Sequence, residues 1–171
     1  MNSKDRRENI RDKLLGALEP LKGSILANEF GVTRQVIVKD IAILRAEGKN
    51  IISTPDGYII PKTQDNRIRK IIAVNHRAED IEDELTTIVN FGGIVEDVIV
   101  EHAIYGELKG MLMIKSLYDV KKFLNRLKDN KSEPLLVLTG GIHLHSIAVE
   151  NEDSLENIIK ALDKKGYLIS D

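Results

Sequence analysis

The sequence contains no cysteine. That excludes disulfides, thiolate zinc sites and thiol catalysis, and it suits a reducing cytoplasm. Any bound metal has to be held by imidazole and carboxylate. No apolar run approaches the roughly eighteen residues that cross a bilayer. Residues 1–11 are too polar and charged for a secretory leader, so a cytoplasmic location without a membrane partner is expected. There is no internal repeat and no low-complexity tract. Charge of one sign is also scarce, with 25 Lys and Arg against 27 Asp and Glu. The balance is uneven, however: +2 over residues 1–66 and −4 over the remainder. That asymmetry mildly favours a polyanion partner at the N-terminal end.

Apolar spacing organises the 171 residues. Residues 7–18 read as a helix with Ile10, Leu14 and Leu18 on one face. Residues 24–30 form a second short helix, followed by Gly31. Thr33 is placed as the N-cap of a third helix that runs to about residue 47, with Ile37, Ile41 and Leu44 inward. The Pro-Asp-Gly turn at 55–57, between β-prone runs, predicts a hairpin. Residues 62–66 are polar and lack periodicity, which makes them the candidate linker between domains 1–61 and 67–171. Beyond it, strands are expected at 68–74, 97–114 (broken near Gly106) and 135–149 (interrupted at Gly140 and Gly141). A short edge strand is expected at 167–170. Helices are expected at 78–89, 117–127 and 155–162. This order predicts an α+β fold with helices packed on one sheet face.

Three helices and a hairpin in about 60 residues form a winged helix-turn-helix layout, whose third helix lies in the major groove of double-stranded DNA. Opposite its inward stripe lie Arg34, Gln35 and Val38, side-chain types that suit guanine, adenine and a thymine methyl. Lys39, Thr33, Arg6, Arg7 and Thr54 are the candidate phosphate contacts. A three-helix docking unit with solvated charges is the bland alternative, and the hairpin argues against it.

All four histidines, at positions 76, 102, 143 and 145, lie beyond the expected linker. His143 and His145 share one face of a strand and can chelate one ion, although a chance pairing is a live rival. His76 stands where the first strand of this domain hands over to a helix. Glu84 borders the apolar stripe of that helix, and no Lys or Arg lies one turn away on its face. A partly desolvated carboxylate needs a partner, and a metal shared with His76, His143 and His145 would supply one. His102 reads more readily as a hydrogen-bonded core residue. Glu79, Asp80, Glu82 and Asp83 read as a solvated acidic face.

The runs TRQVIVKDIAILRAEG (33–48) and NIISTPDGYII (50–60) resemble the winged helix-turn-helix of the biotin-repressor-like class. HRAEDIEDEL (76–85), DVIVEHAIYGEL (97–108) and PLLVLTGGIHLHSI (134–147) together resemble the three-histidine (3H) domain of niacin-responsive bacterial repressors. The second resemblance covers nearly the whole chain. It implies an HPr-like open-faced α/β sandwich for the second domain, a homodimer, and repression of NAD-biosynthesis or niacin-uptake genes with nicotinic acid as co-repressor. It also implies a nickel-type site at His76, Glu84, His143 and His145, with zinc, iron or cobalt chemically compatible. A related pyridine would dock at or beside such a metal, oriented by His102, Tyr105, Thr139 or Ser146. Leu144 lies opposite the histidines, and a helical layer covers only one sheet face, so a second subunit is expected on the other. The rival readings are a repressor that senses the ion alone and a metal-dependent hydrolase with a DNA-binding head. The absence of an HExxH motif and of an obvious general base weighs against the hydrolase. A bifunctional ligase-repressor is weaker still, for want of a glycine-rich nucleotide loop and of length.

Overall fold

The computed structural model describes residues 2–61 and 65–169. The chain separates into two compact units, residues 1–65 and 66–171. Positions 62–64 of the expected linker lie outside the described residues.

In the first unit, α1 (Ser3–Gly16) starts at Asn2, whose side chain accepts from the Lys4 and Asp5 amides at 2.9 Å. Such a cap contributes about 1 kcal/mol and starts the helix earlier than its apolar residues do. Ile10 and Leu14 are buried, but the helix stops at Gly16 and Ala17 is extended, so Leu18 lies outside it at 77% exposure. Helix α2 (Gly23–Glu29) buries Leu26 and Ala27. Helix α3 (Arg34–Ala46) is capped by the Thr33 hydroxyl and buries Ile37, Ile41 and Leu44. These side chains pack with Ile51 into one core.

The hairpin of β1 (Ile52–Thr54) and β2 (Gly57–Ile59) follows. Leu21 exchanges two main-chain hydrogen bonds with Tyr58, at 2.8 and 2.9 Å, and so extends the hairpin by a third rung. Gly57 permits this approach. Its φ is 135°, and a Cβ there would stand 2.3 Å from the Leu21 carbonyl oxygen. Arg45 fastens α3 to the hairpin, donating to the Ile51 carbonyl at 2.8 Å and the Ser53 hydroxyl at 2.7 Å. The result is a winged helix-turn-helix.

The second unit holds β3 (Ile68–Asn75), α4 (Ile81–Asn90), β4 (Ile94–His102), β5 (Gly106–Ile114), α5 (Leu117–Asp129), β6 (Ile142–Val149) and α6 (Glu152–Lys164). Its strands form one antiparallel sheet in the order β3-β6-β4-β5. Ile72, Val74, Val95, Ile114, Ile147 and Val149 from the sheet pack with Ile81, Leu85 and Ile88 of α4, Val120 of α5, and Leu155, Ile158 and Leu162 of α6. That single core puts all three helices on one face, as expected of an open-faced α+β arrangement. On the other face Ile71 and Ile142 remain 59% and 51% exposed.

Two expectations differ in detail. Residues 135–139 form a 3-10 turn, Leu135–Thr139, closed by Gly140 in the left-handed region, and β6 begins only at Ile142. Short apolar runs do not distinguish a strand from a tight helical turn. The C-terminal edge strand reduces to one bridge, Leu168 with Val74, and the Ile169 amide on the Ala73 carbonyl.

Candidate metal centre and nucleic-acid interface

Strand alternation fixes two of the three central imidazoles. On β6, His143 and His145 point inward opposite Val74 and Ile72 of β3, while Leu144 and Ser146 point outward. His76 follows β3 directly, and Glu84 lies in the first turn of α4. All four are buried. Glu84 sits at the centre: Oε2 is 2.7 Å from His76 Nε2 and 3.6 Å from His143 Nε2, and Oε1 is 3.4 Å from His145 Nε2. Ligand atoms of His76, Glu84 and His143 all lie within 4.8 Å of one another.

Main-chain carbonyls orient every ring. His76 Nδ1 donates to Arg77 O at 2.8 Å, His143 Nδ1 to Gly141 O at 2.8 Å, and His145 Nδ1 to Asp97 O at 2.5 Å. With Nδ1 carrying a proton, each neutral ring turns an Nε2 lone pair towards Glu84. Lone pairs facing a carboxylate repel unless a proton or a cation stands between them. His76 satisfies both of its acceptors only as imidazolium. Burial pushes its pKa down, but the hydrogen bond and charge of Glu84 outweigh that and raise it. His145 behaves likewise, raised by Glu84 against its burial. Burial would raise the Glu84 pKa, yet the charge of His145 and the close approach of the other two imidazoles, His76 within hydrogen-bond distance, hold it well below the ordinary range. Glu84 Oε1, which faces His145 Nε2 at 3.4 Å, has no hydrogen bond among the described residues. A buried carboxylate oxygen left without a donor is the feature a cation would relieve, so the donor set fits a divalent metal.

Sequence reasoning did not single out several neighbours. Tyr167 places its ring 5.0 Å from that of His76, and its hydroxyl donates to Asp83 Oδ2 at 2.9 Å. Its pKa is pushed up to about 12 by burial and by Asp83. Lys165 also holds Asp83, at 2.6 Å. Gly141 packs so closely that a Cβ would stand 2.6 Å from the His76 carbonyl oxygen. Nothing in local periodicity brings residues 83, 141 and 167 to His76.

Of the four residues expected to orient an effector, Thr139 lines a cleft of about 890 Å³ with Ile142, His143 and Leu144. His102 Nδ1 accepts from the Ile104 and Tyr105 amides at the β4–β5 turn, and its ring stacks near that of Tyr105. Thr139 donates to the carbonyls of Leu136 and Ile142. Ser146 faces the opposite side of the sheet.

On α3, Arg34, Gln35 and Lys39 are exposed and Val38 is half-buried, all away from the core stripe. Arg34 also lines a cleft of about 330 Å³ with Lys22, Ser24, Ser53 and Thr54, between the helices and the wing. Other expected contacts are engaged within the unit. Arg6 Nε donates to Asp40 Oδ2 at 2.7 Å, and Arg7 lies 3.8 Å from Asp40 Oδ1. The Thr54 hydroxyl donates to Gly57 O and accepts from the Asp56 amide. Thr33 serves as the helix cap.

Comparison with known proteins agrees with this division. Residues 6–59 match the HTH domain and residues 69–171 match the 3H domain. The chain is 44% identical over 167 residues to the probable transcription repressor NiaR of Thermotoga maritima, covering 98% of this chain and 95% of that one. It is 36% identical over 170 residues to the transcription repressor NadR of Bacillus subtilis, covering 95% and 94%. An uncharacterized protein of Methanothermus fervidus shares 36% identity over 110 residues, 58% of this chain and 17% of its own length. The relatives that match along their whole length are named as repressors and not as enzymes, which removes the hydrolase reading. This chain therefore belongs to the 3H-domain family of helix-turn-helix transcription repressors.

Proposed function

We propose that the protein represses NAD-biosynthesis or niacin-uptake genes by binding an operator as a homodimer, with a divalent transition metal in its second domain and nicotinic acid as co-repressor. The observation that carries the metal is the convergence of three imidazole Nε2 atoms on a buried carboxylate, one oxygen of which has no hydrogen bond among the described residues. His76, Glu84, His143 and His145 would hold the ion. A first-row metal held by these groups would be able to take an external nitrogen or oxygen donor, and a pyridine carboxylate offers both. Nickel is the family expectation, and zinc, iron and cobalt suit the same donors.

The DNA contact is assigned to Arg34, Gln35, Val38 and Lys39. The exposed Ile71 and Ile142 on the helix-free sheet face favour a second copy there. Operators with half-sites about one helical turn apart, roughly 34 Å, require two recognition helices. A co-repressor that favours the matching spacing raises operator affinity about 5- to 150-fold.

A second reading, in which the ion alone is the effector, has one observation in its favour. The cavity beside Glu84, His143 and His145 is about 30 Å³ and is walled by Ile81, Leu85, Val98, Leu112, Phe123 and Leu136. That is room for an ion or a water but not for a pyridine ring without movement of the wall. Mobility shift with metal alone, nicotinate alone and both separates the readings. The co-repressor proposal expects full retardation only with both; retardation by metal alone would establish the ion sensor.

A further inference from the structure

Asp97 is a buried carboxylate that neither the metal reading nor the DNA reading uses. It lies where β4 loses register with both neighbours. Against β6, β4 advances four residues from Val95 to Ile99 while β6 advances three, from Ile147 to Leu144. Against β5 the register shifts between Val95 and Asp97, and Met113 at that point has a φ of 53°. Such bulges turn a carbonyl out of the ladder. Here the Asp97 carbonyl accepts from His145 Nδ1 at 2.5 Å.

A carbonyl diverted in this way leaves a vacant acceptor position for the facing strand. The Ser146 amide is satisfied instead by Asp97 Oδ1 at 2.9 Å. The other carboxylate oxygen meets Lys109 Nζ at 2.7 Å, with the Asp97 side chain 3% exposed. Lys109 is paired with Ile99, and Ile99 with Leu144, so this ion pair lies on the face opposite the histidines.

We infer that Asp97 is a positioning residue for the histidine cluster. Its main chain fixes the tautomer and direction of His145, and its side chain replaces that carbonyl in the sheet. The carboxylate is what makes the bulge sustainable. Without it the Ser146 amide is left unsatisfied in the sheet, and the Asp97 carbonyl is drawn back into the ladder at the expense of His145. Lys109 supports the arrangement from the far side, so a change at that sheet face reaches the cluster through two hydrogen bonds. This inference rests on the metal reading for its consequence, but its geometry can be read without metal.

The test uses the full chain with Asp97→Ala, Asp97→Asn, Lys109→Met and, as a control on the same face, Arg69→Ala. Imidazole ¹⁵N NMR of the metal-free protein should show a slowly exchanging His145 Nδ1 proton in the wild type, Asp97→Asn and Arg69→Ala. That protection should be lost in Asp97→Ala. Nickel affinity by chelator competition should fall about 10- to 100-fold in Asp97→Ala, as outer hydrogen-bond partners of metal ligands do. Asp97→Asn keeps an acceptor for Ser146 and should stay within about threefold of wild type. If Asp97→Ala does not fold, Lys109→Met takes its place, with a smaller loss of affinity and partial loss of protection. A wild type that binds no metal but whose His145 proton still depends on Asp97 would remove the metal reading and uphold the positioning role. An unchanged proton signature and affinity in Asp97→Ala, or in Lys109→Met if that replaces it, overturns the inference. So does an equal loss in Arg69→Ala.

Discussion

Glu84 is 1% exposed and carries its charge beside His76 and His145, so the protons on those two rings bear on the stability of the unit. His76 and His145 titrate above their ordinary value of 6.5. Groups raised on folding stabilise fully below the unfolded value, and that contribution is lost as pH rises through the folded one. Glu84 and Asp83 titrate below their ordinary 4.5 and 3.8, so their contribution is present above those values and is lost in acid. The metal-free protein should therefore be most stable between about pH 4.5 and 6.5 and weaken above that window. The proposed metal would displace protons from the same nitrogens, so the stabilisation it confers should grow with pH. Melting curves with chelator and with nickel should diverge as pH rises; parallel curves would remove the metal from these residues. Glu84→Gln removes the charge that a cation would balance and should lower nickel affinity by about 10-fold or more, measured by competition. Tyr167→Phe keeps the ring beside His76 and loses only a hydrogen bond to a half-exposed carboxylate, so it should cost less than about 1 kcal/mol in denaturant unfolding. The histidine pair on β6 was legible because a strand's period of two is visible in any sequence. Asp97 and Tyr167 were not, because a bulge and a chain reversal leave no periodic mark.

At the scale of elements, the wing and the recognition helix are tied by groups whose sequence signals differ in strength. The Pro-Asp-Gly turn announces the hairpin, whereas the Leu21 rung beside it has no pattern of its own. Gly57→Ala forces a Cβ against Leu21 and a side chain into a φ of 135°. It should destabilise the first unit by about 1–3 kcal/mol and abolish operator binding, read by thermal melting and mobility shift. Arg6 illustrates the limit of composition. A basic residue near a recognition helix reads as a phosphate contact, yet here it neutralises Asp40, which is 2% exposed on α3. Lys39→Gln should reduce the salt dependence of DNA binding by about one charge. Arg6→Gln should instead lower the melting temperature and leave that slope unchanged. The apolar 135–139 run misled for a related reason: Gly140 and Gly141 turn the chain there, and hydrophobicity alone does not say whether the preceding residues extend or coil.

For the whole molecule, the proposed homodimer rests on the helix-free sheet face. Ile71→Asp places a charge in the exposed apolar area of that face. It should yield monomers by light scattering and weaken operator binding while leaving nickel affinity intact. Sheet order has a further consequence, for synthesis. β4 and β5 are adjacent in sequence and can pair as soon as they are made, but β3 waits for β6, which enters between β3 and β4. Until that late strand arrives, two open edges face solvent, and pairing across such separations is slow and prone to association between nascent chains. Because β6 also brings His143 and His145, an ion cannot guide the early steps. Metal supplied during translation should therefore leave the yield of soluble protein unchanged.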